Sequence, residues 1–415
     1  MIIPEVCWRG LLKDYREALQ GATEACNDFH YFSMLPILGT LLNRSVHTWY
    51  AGDLYPNFFV VLVGESESTK KTTSMRFALN VYNKVKELSN AEVVAGISSA
   101  EGLIRALGGF VSGGEDADEE ETERDGTPSI IFLEEMASLL RKARQDSVTN
   151  LIPKLTELYD LPPEVRLPTR RRPLILRRPF VSMLCGTTPD WMESSLKEEE
   201  IMGGFSNRFI YCVGTAGVPL AFPLKPDLSR VTLGIAELAA YWRGKGATEI
   251  RWSDEARPVW ADFYDGWRKS REGLSGVLAA TTSRITSYAI KMAMLYAIMD
   301  KSEELLPEHL EAAVEFAKFC QWSASELFSF FPLAQAGKVE AKVIGMLLKK
   351  SPLPQREIHQ RIGGRVTADI LARILTGLEA HQRIKLYTAE GGGKWVSLIR
   401  VKEQSDFGTV GSVYE

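Results

Sequence analysis

The stretch Tyr55 to Thr73, YPNFFVVLVGESESTKKTT, constrains this chain more than any other. Phe58 to Val63 is an apolar run of strand length, Gly64 opens a turn of small polar residues, and Lys-Lys-Thr-Thr starts a helical pattern. A buried strand that feeds a helix through such a turn leaves unsatisfied N–H groups in the turn and at the helix N-terminus. Together they attract an anion. Two lysines in a first helical turn oppose the helix dipole by a few tenths of a kcal/mol each unless an anion offsets them. The stretch therefore reads as a P-loop for ATP, with Gly64, Ser66, Ser68, Thr69, Lys70, Lys71, Thr72 and Thr73 as binding residues. Lys71 would reach the β- and γ-phosphates and the Thr72 hydroxyl would hold Mg²⁺. The loop is irregular: against G-x-x-x-x-G-K-[ST] it lacks the second Gly, and six residues separate Gly64 from Lys71. The plain alternative is a strand, a polar surface turn and a helix.

At 415 residues, with 45% hydrophobic and 25% charged residues, the chain is an ordinary globular one of two or three domains. A net charge of -4 excludes a uniformly basic nucleic-acid coat. Charge is local: residues 114 to 125 (GEDADEEETERD) are acidic and residues 165 to 178 (VRLPTRRRPLILRR) basic. Five scattered cysteines without a CxxC pair, and five histidines outside any ligand spacing, argue against a structural zinc site or a disulfide framework. Cys185 and Cys212 fall in apolar runs and read as small buried hydrophobes. No signal peptide or membrane-spanning run is visible, so the expected location is the cytoplasm, without a membrane partner.

Residues 1–50 carry helical periodicity. From 51 to 227 strand-like runs alternate with helical ones, which predicts an α/β core with a mostly parallel sheet. The acidic tract 112–127 has no apolar anchor and reads as a mobile insertion. Residues 228–332 read as helical, a lid or bundle that includes the stretch from Ile285 to Met299. A linker is expected from Phe331 to Gly337. Residues 338–401 run helix, turn, helix, turn, helix, strand, Gly-rich hairpin, strand, the order of a winged helix-turn-helix, with a tail at 402–415. Arg356, Arg361, Arg365, Arg373 and Lys394 suit a phosphate-facing surface; a protein-docking role for the same module stays open.

A P-loop ATPase needs carboxylates at the end of a neighbouring strand. SIIFLEE supplies Glu134, assigned here to the metal, and Glu135, assigned to the attacking water. Without a cation two adjacent carboxylates repel each other; a strand running into a solvated acidic turn is the alternative. The next apolar run ends in Cys-Gly-Thr187-Thr188-Pro, whose hydroxyls would orient water or sense the γ-phosphate, or simply make a turn. Arg208 in GGFSNRF, just before the last strand-like run, stands where a ring-forming ATPase presents an arginine finger. A surface ion pair would use the same residue.

The order of these parts is that of an AAA+ type ATPase. It resembles a family of P-loop ATPases from phages, plasmids and integrated elements, related to primase-helicases, through YPNFFVVLVGESESTKKTT, FLEE, LCGTTPD, GFSNRF and RITSYAIKMAM, over roughly residues 25 to 300. The loop of that family, G-x-S-x-x-x-[KR]-K-[ST], places the catalytic Lys at Lys71. The resemblance also implies a second phosphate-sensing Arg at Arg284 and an oligomeric ring, expected as a hexamer, that moves DNA. Glu65 and Glu67 inside the loop, and the lack of a primase-like N-terminal segment, depart from it. Arg170, Arg171, Arg172, Arg177 and Arg178 would then track single-stranded DNA in the channel, or else pair with the acidic tract. The function expected is an ATP-dependent DNA helicase or translocase in replication of a mobile element. The alternative is a nucleotide-gated, DNA-binding switch without unwinding.

Overall fold

The computed structural model describes the chain except residues 98, 111–121, 144–149, 170–171, 273, 275, 330–331, 363–365, 381–382, 390–391 and 400–415. It divides into two compact units, Met1–Phe331 and Pro332–Glu415. The first is built on a five-stranded parallel sheet of β1 (Phe59–Val63), β2 (Glu92–Val94), β3 (Ser129–Leu133), β4 (Val181–Thr187) and β5 (Phe209–Val213), in the order β5-β1-β4-β3-β2. Parallel sheets are covered on both faces, so their strands read as unbroken apolar runs, and every residue of β1 is buried. Val63 lies in register with Thr187 on one side and Val213 on the other. The carboxyl ends of these strands therefore form one edge.

Helix α1 (Asn27–Leu42) has 15 buried residues out of 16. An apolar helix of this kind belongs inside a fold. It meets the sheet so closely that a Cβ on Gly39 would stand 1.8 Å from the Pro56 carbonyl oxygen. Helix α2 (Lys71–Val85) packs against it, with Ser74 Oγ 3.0 Å from His30 Nδ1. The N-terminal helical segment is thus core, not periphery.

Residues 228 to 329 are mainly helical, and the stretch Ile285–Met299, expected in a lid or bundle, is packed inside the fold. Thirteen of its 15 residues are buried, and Trp242 Nε1 donates to the Ile298 carbonyl at 3.0 Å. Val213 N–H donates to Ser323 Oγ at 2.8 Å, which ties the helix Pro307–Ser329 to β5.

The acidic tract departs from expectation where it is described. Glu123–Asp125 is a strand, parallel to Leu174–Arg177, which pairs antiparallel with Glu164–Leu167. Strand pairing and an Arg177–Glu123 ion pair hold it, which offsets its lack of apolar residues. The hairpin Glu164–Arg177 leaves from the amino edge of the sheet. Arg44 Nη2 braces its base by donating to the carbonyls of Leu161 (2.8 Å), Pro162 (3.3 Å) and Pro179 (3.0 Å).

The second unit has helices Pro332–Lys349, Gln355–Ile362 and Ala368–Ala380 and an antiparallel sheet of Leu353–Pro354, Lys394–Leu398 and Ile384–Thr388. It has its own core, including Val343, Leu347, Ile358, Leu375, Ile384 and Val396. Pro332 to Gly337, expected as linker, is the first part of a helix with Pro at its start, where the missing N–H costs nothing. Among the described residues no helix is long and apolar enough to cross a membrane. All five cysteines are free, and no His/Cys/Asp/Glu group among the described residues has metal-binding geometry.

Candidate functional site

Gly64 ends β1, and the chain turns through Glu65 to Lys70 into α2. A Cβ on Gly64 would stand 2.8 Å from Thr69 Oγ1 and 3.1 Å from Phe29 Cζ, so the tight turn needs glycine here. Thr69 is buried, and its hydroxyl donates to the Glu65 carbonyl at 2.7 Å. Glu67 and Lys70 adopt left-handed backbone, φ 63° and 53°, and supply the curvature that the absent second Gly would have given. Ser66, Ser68 and Thr73 are exposed and Thr72 is half-buried in the first turn of α2. Lys71 Nζ folds back over the loop and donates to the carbonyls of Gly64 (2.5 Å) and Glu65 (3.2 Å). Burial lowers its pKa from the ordinary lysine value, opposed by the charges of Glu135 and Glu65. Lys70 is drawn away, 3.6 Å from Glu24.

Strand β4 lies between β1 and β3 and brings Thr187 to the middle of this edge. Gly64 N–H donates to the Thr187 carbonyl at 3.2 Å, and Thr187 Oγ1 donates to Glu135 Oε1 at 2.9 Å. Gly186 permits the packing, since a Cβ there would stand 2.8 Å from the Glu134 carbonyl oxygen. The two glutamates have different surroundings. Glu135 is half-buried, caps the helix Met136–Lys142 through the Ala137 N–H, and acts electrostatically on Lys71. Glu134 is exposed and accepts from Arg76 Nε (3.0 Å) and Nη2 (2.8 Å) on α2. Of the two glutamates, Glu135 is thus the one that acts on the loop lysine. Thr188 has a local task, accepting from the Trp191 N–H at 3.3 Å as cap of the helix Pro189–Ser195.

Arg208 and Arg284 are brought together, but not here. Both pair with Asp160, Arg208 on Oδ2 and Arg284 on Oδ1 at 3.1 Å, before the first residue of β5. Beneath them Lys291 is buried and donates to the Asn57 carbonyl (3.0 Å) and Oδ1 (2.5 Å), its side-chain nitrogen 4.4 Å from the centre of the Tyr159 ring. Burial pushes its pKa down to about 7. Asn57 precedes β1, so this cluster occupies the amino edge. A five-residue strand, about 16 Å, separates it from the loop. Neither arginine is therefore brought to Lys71 of the same chain.

Of the basic run, Arg172 is exposed, while Arg177 pairs with Glu123 and Glu164. Arg178 has φ 46° and donates its N–H to the Pro163 carbonyl at the hairpin base. Arg170 and Arg171, and Arg365 in the second unit, lie outside the described residues. Arg356, Arg373 and Lys394 are exposed, and Arg361 pairs with Glu357. Sequence reasoning missed Glu24, Arg76, Asp160 and Lys291. Only Arg76, one turn after Thr72 on the same helix, had a local signal. A comparison of the chain with protein-family models gives no match, and none of the curated proteins matches it.

Proposed function

We propose that the Met1–Phe331 unit binds and hydrolyses ATP through a variant P-loop in an AAA+ or RecA-like fold. One observation carries this reading: Lys71, Thr187 and Glu135 meet at the carboxyl edge of one parallel sheet, where open α/β sheets bind ligands. In this reading the loop N–H groups and the start of α2 take the triphosphate, and Lys71 exchanges its carbonyl partners for phosphate oxygens. Thr187 holds Glu135 by its hydroxyl, and Glu135 accepts the proton of the attacking water. Thr72 and the two glutamates supply hard oxygen donors that fit Mg²⁺. When bound, Mg²⁺ neutralises charge developing on the phosphates. Glu134 takes the metal role only after leaving Arg76.

Arg208 and Arg284, on the far edge, would serve the nucleotide of a neighbouring copy, as an arginine finger does in trans. That implies a ring, taken as a hexamer. The resemblance to the primase-helicase-related family, the hairpin with exposed Arg172 in its turn, and a C-terminal unit with the element order of a winged helix support an ATP-dependent DNA helicase or translocase. We place it in the cytoplasm, in replication of a mobile element. Ion pairing of Arg177 thins the cationic track of the hairpin and favours the second reading, a nucleotide-gated DNA switch. Purified protein should hydrolyse ATP faster with single-stranded DNA and displace a strand, and Lys71→Ala should abolish both. Hydrolysis that survives Lys71→Ala would sink the nucleotide assignment; hydrolysis without displacement would select the switch.

A further inference from the structure

The carboxyl edge carries a second opening beside the loop. Gly214 follows β5 as Gly64 follows β1, and its N–H donates to the Val63 carbonyl at 2.9 Å. Past it lies a cavity of about 520 Å³ bounded by Trp8, Asn27, Asp28, Gly214, Trp322 and Glu326. Neighbouring strands are about 4.8 Å apart, so the cavity begins one strand away from the first residue of the loop. Phe29 connects the two. A Cβ on Gly214 would stand 2.5 Å from its ring, and one on Gly64 would stand 3.1 Å from it. The walls are tied down: Ile3 N–H donates to Asp28 Oδ1 at 3.0 Å, and Ser323, next to Trp322, holds the end of β5.

The lining is wrong for more phosphate and right for a flat ring bearing an amine. Glu5, Asp28 and Glu326 contribute carboxylates to the lining, and its arginine, Arg16, is paired with Glu5 at 2.7 and 2.6 Å. The Arg16 guanidinium also covers one face of Trp8, 4.6 Å from the ring centre. Trp322 is half-buried and offers the remaining aromatic surface. Carboxylates accept from exocyclic amines of bases, and aromatic faces stack on any base.

We propose that this cavity holds the base of the nucleotide whose phosphates lie in the Gly64–Thr72 loop, with Trp322 stacked on it and Asp28 accepting from its exocyclic amine. This rests on the nucleotide reading above. Amino-bearing bases are selected over uracil, which offers an oxygen acceptor where adenine and cytosine offer an amine.

The test uses the full chain with Mg²⁺ and three probes, ATP, UTP and inorganic triphosphate, with binding measured by calorimetry. Wild type should bind ATP more tightly than either other probe. Trp322→Ala should weaken ATP about tenfold and leave triphosphate unchanged, Trp322→Phe should retain most of the ATP affinity, and Asp28→Asn should narrow the gap between ATP and UTP. Lys71→Ala should weaken all three. Equal affinities of wild type for ATP and UTP, or an equal loss of ATP and triphosphate in Trp322→Ala, overturns the cavity assignment alone. Absence of binding by any probe overturns the nucleotide reading and this proposal with it.

Discussion

Glu134 and Glu135 are chain neighbours that the fold turns to different tasks. Glu135 is held by Thr187 Oγ1 and a helix-capping N–H beside Lys71, while Glu134 is clamped by Arg76 on the outside. Glu135→Gln should cut turnover by about 10²- to 10³-fold with nucleotide binding preserved, and Glu134→Gln should cut it less. Steady-state rates and ATP affinity for both variants decide it; a larger loss in Glu134→Gln would overturn the assignment of the attacking water to Glu135. The pair was legible as the polar end of an apolar strand, but which member faces inward was not, because that depends on how the chain leaves β3. Lys291 carries a second residue-scale consequence. Its pKa is pushed down to about 7 by burial, whereas in the unfolded chain it keeps an ordinary value near 10.5. Between those values the unfolded chain holds more protons, so stability rises with pH, by up to about 1.4 kcal/mol per unit from this group alone. Urea midpoints from pH 7 to 9 should therefore climb more steeply in wild type than in Lys291→Met, and parallel slopes would refute the buried neutral lysine.

Among elements, α1 places the site most directly, since Phe29 backs Gly64 and His30 meets Ser74 on α2. Its close approach to the sheet rests on Gly39. Gly39→Ala should cost about 1–3 kcal/mol or more by overpacking against the Pro56 backbone. Gly244→Ala, in the helix Ser229–Lys245 with open space around it, should be neutral or stabilising by about 0.5–1 kcal/mol. Chemical denaturation of the two variants provides the comparison, and equal effects would contradict the packing. The helical character of α1 was readable from its apolar spacing. Its burial on nearly every side was not, because periodicity reports one covered face and the second cover comes from residues far along the chain. The same holds for Ile285–Met299, expected as part of a lid or bundle and found buried on nearly every side.

For the whole molecule, two units with separate cores predict separable stability. Thermal unfolding of the full chain should show two transitions, and residues 1–331 alone should keep one of them together with ATP hydrolysis. Calorimetry and rate measurements on that fragment check this, and a single transition lost on truncation would contradict it. The sequence by itself determined what is local: the strand, turn and helix of the loop, the apolar runs of the sheet, the polar strand ends and the element order of the C-terminal unit. Adjacent residues set these through backbone propensity and apolar spacing. Tertiary structure alone decided that β4 lies between β1 and β3, which joins Thr187 to Glu135 across 52 residues of sequence. It also decided that Arg284 meets Asp160 across 124 residues, on the edge away from Lys71. Strand order is fixed by long-range burial of both sheet faces, and no periodicity within a segment carries that information.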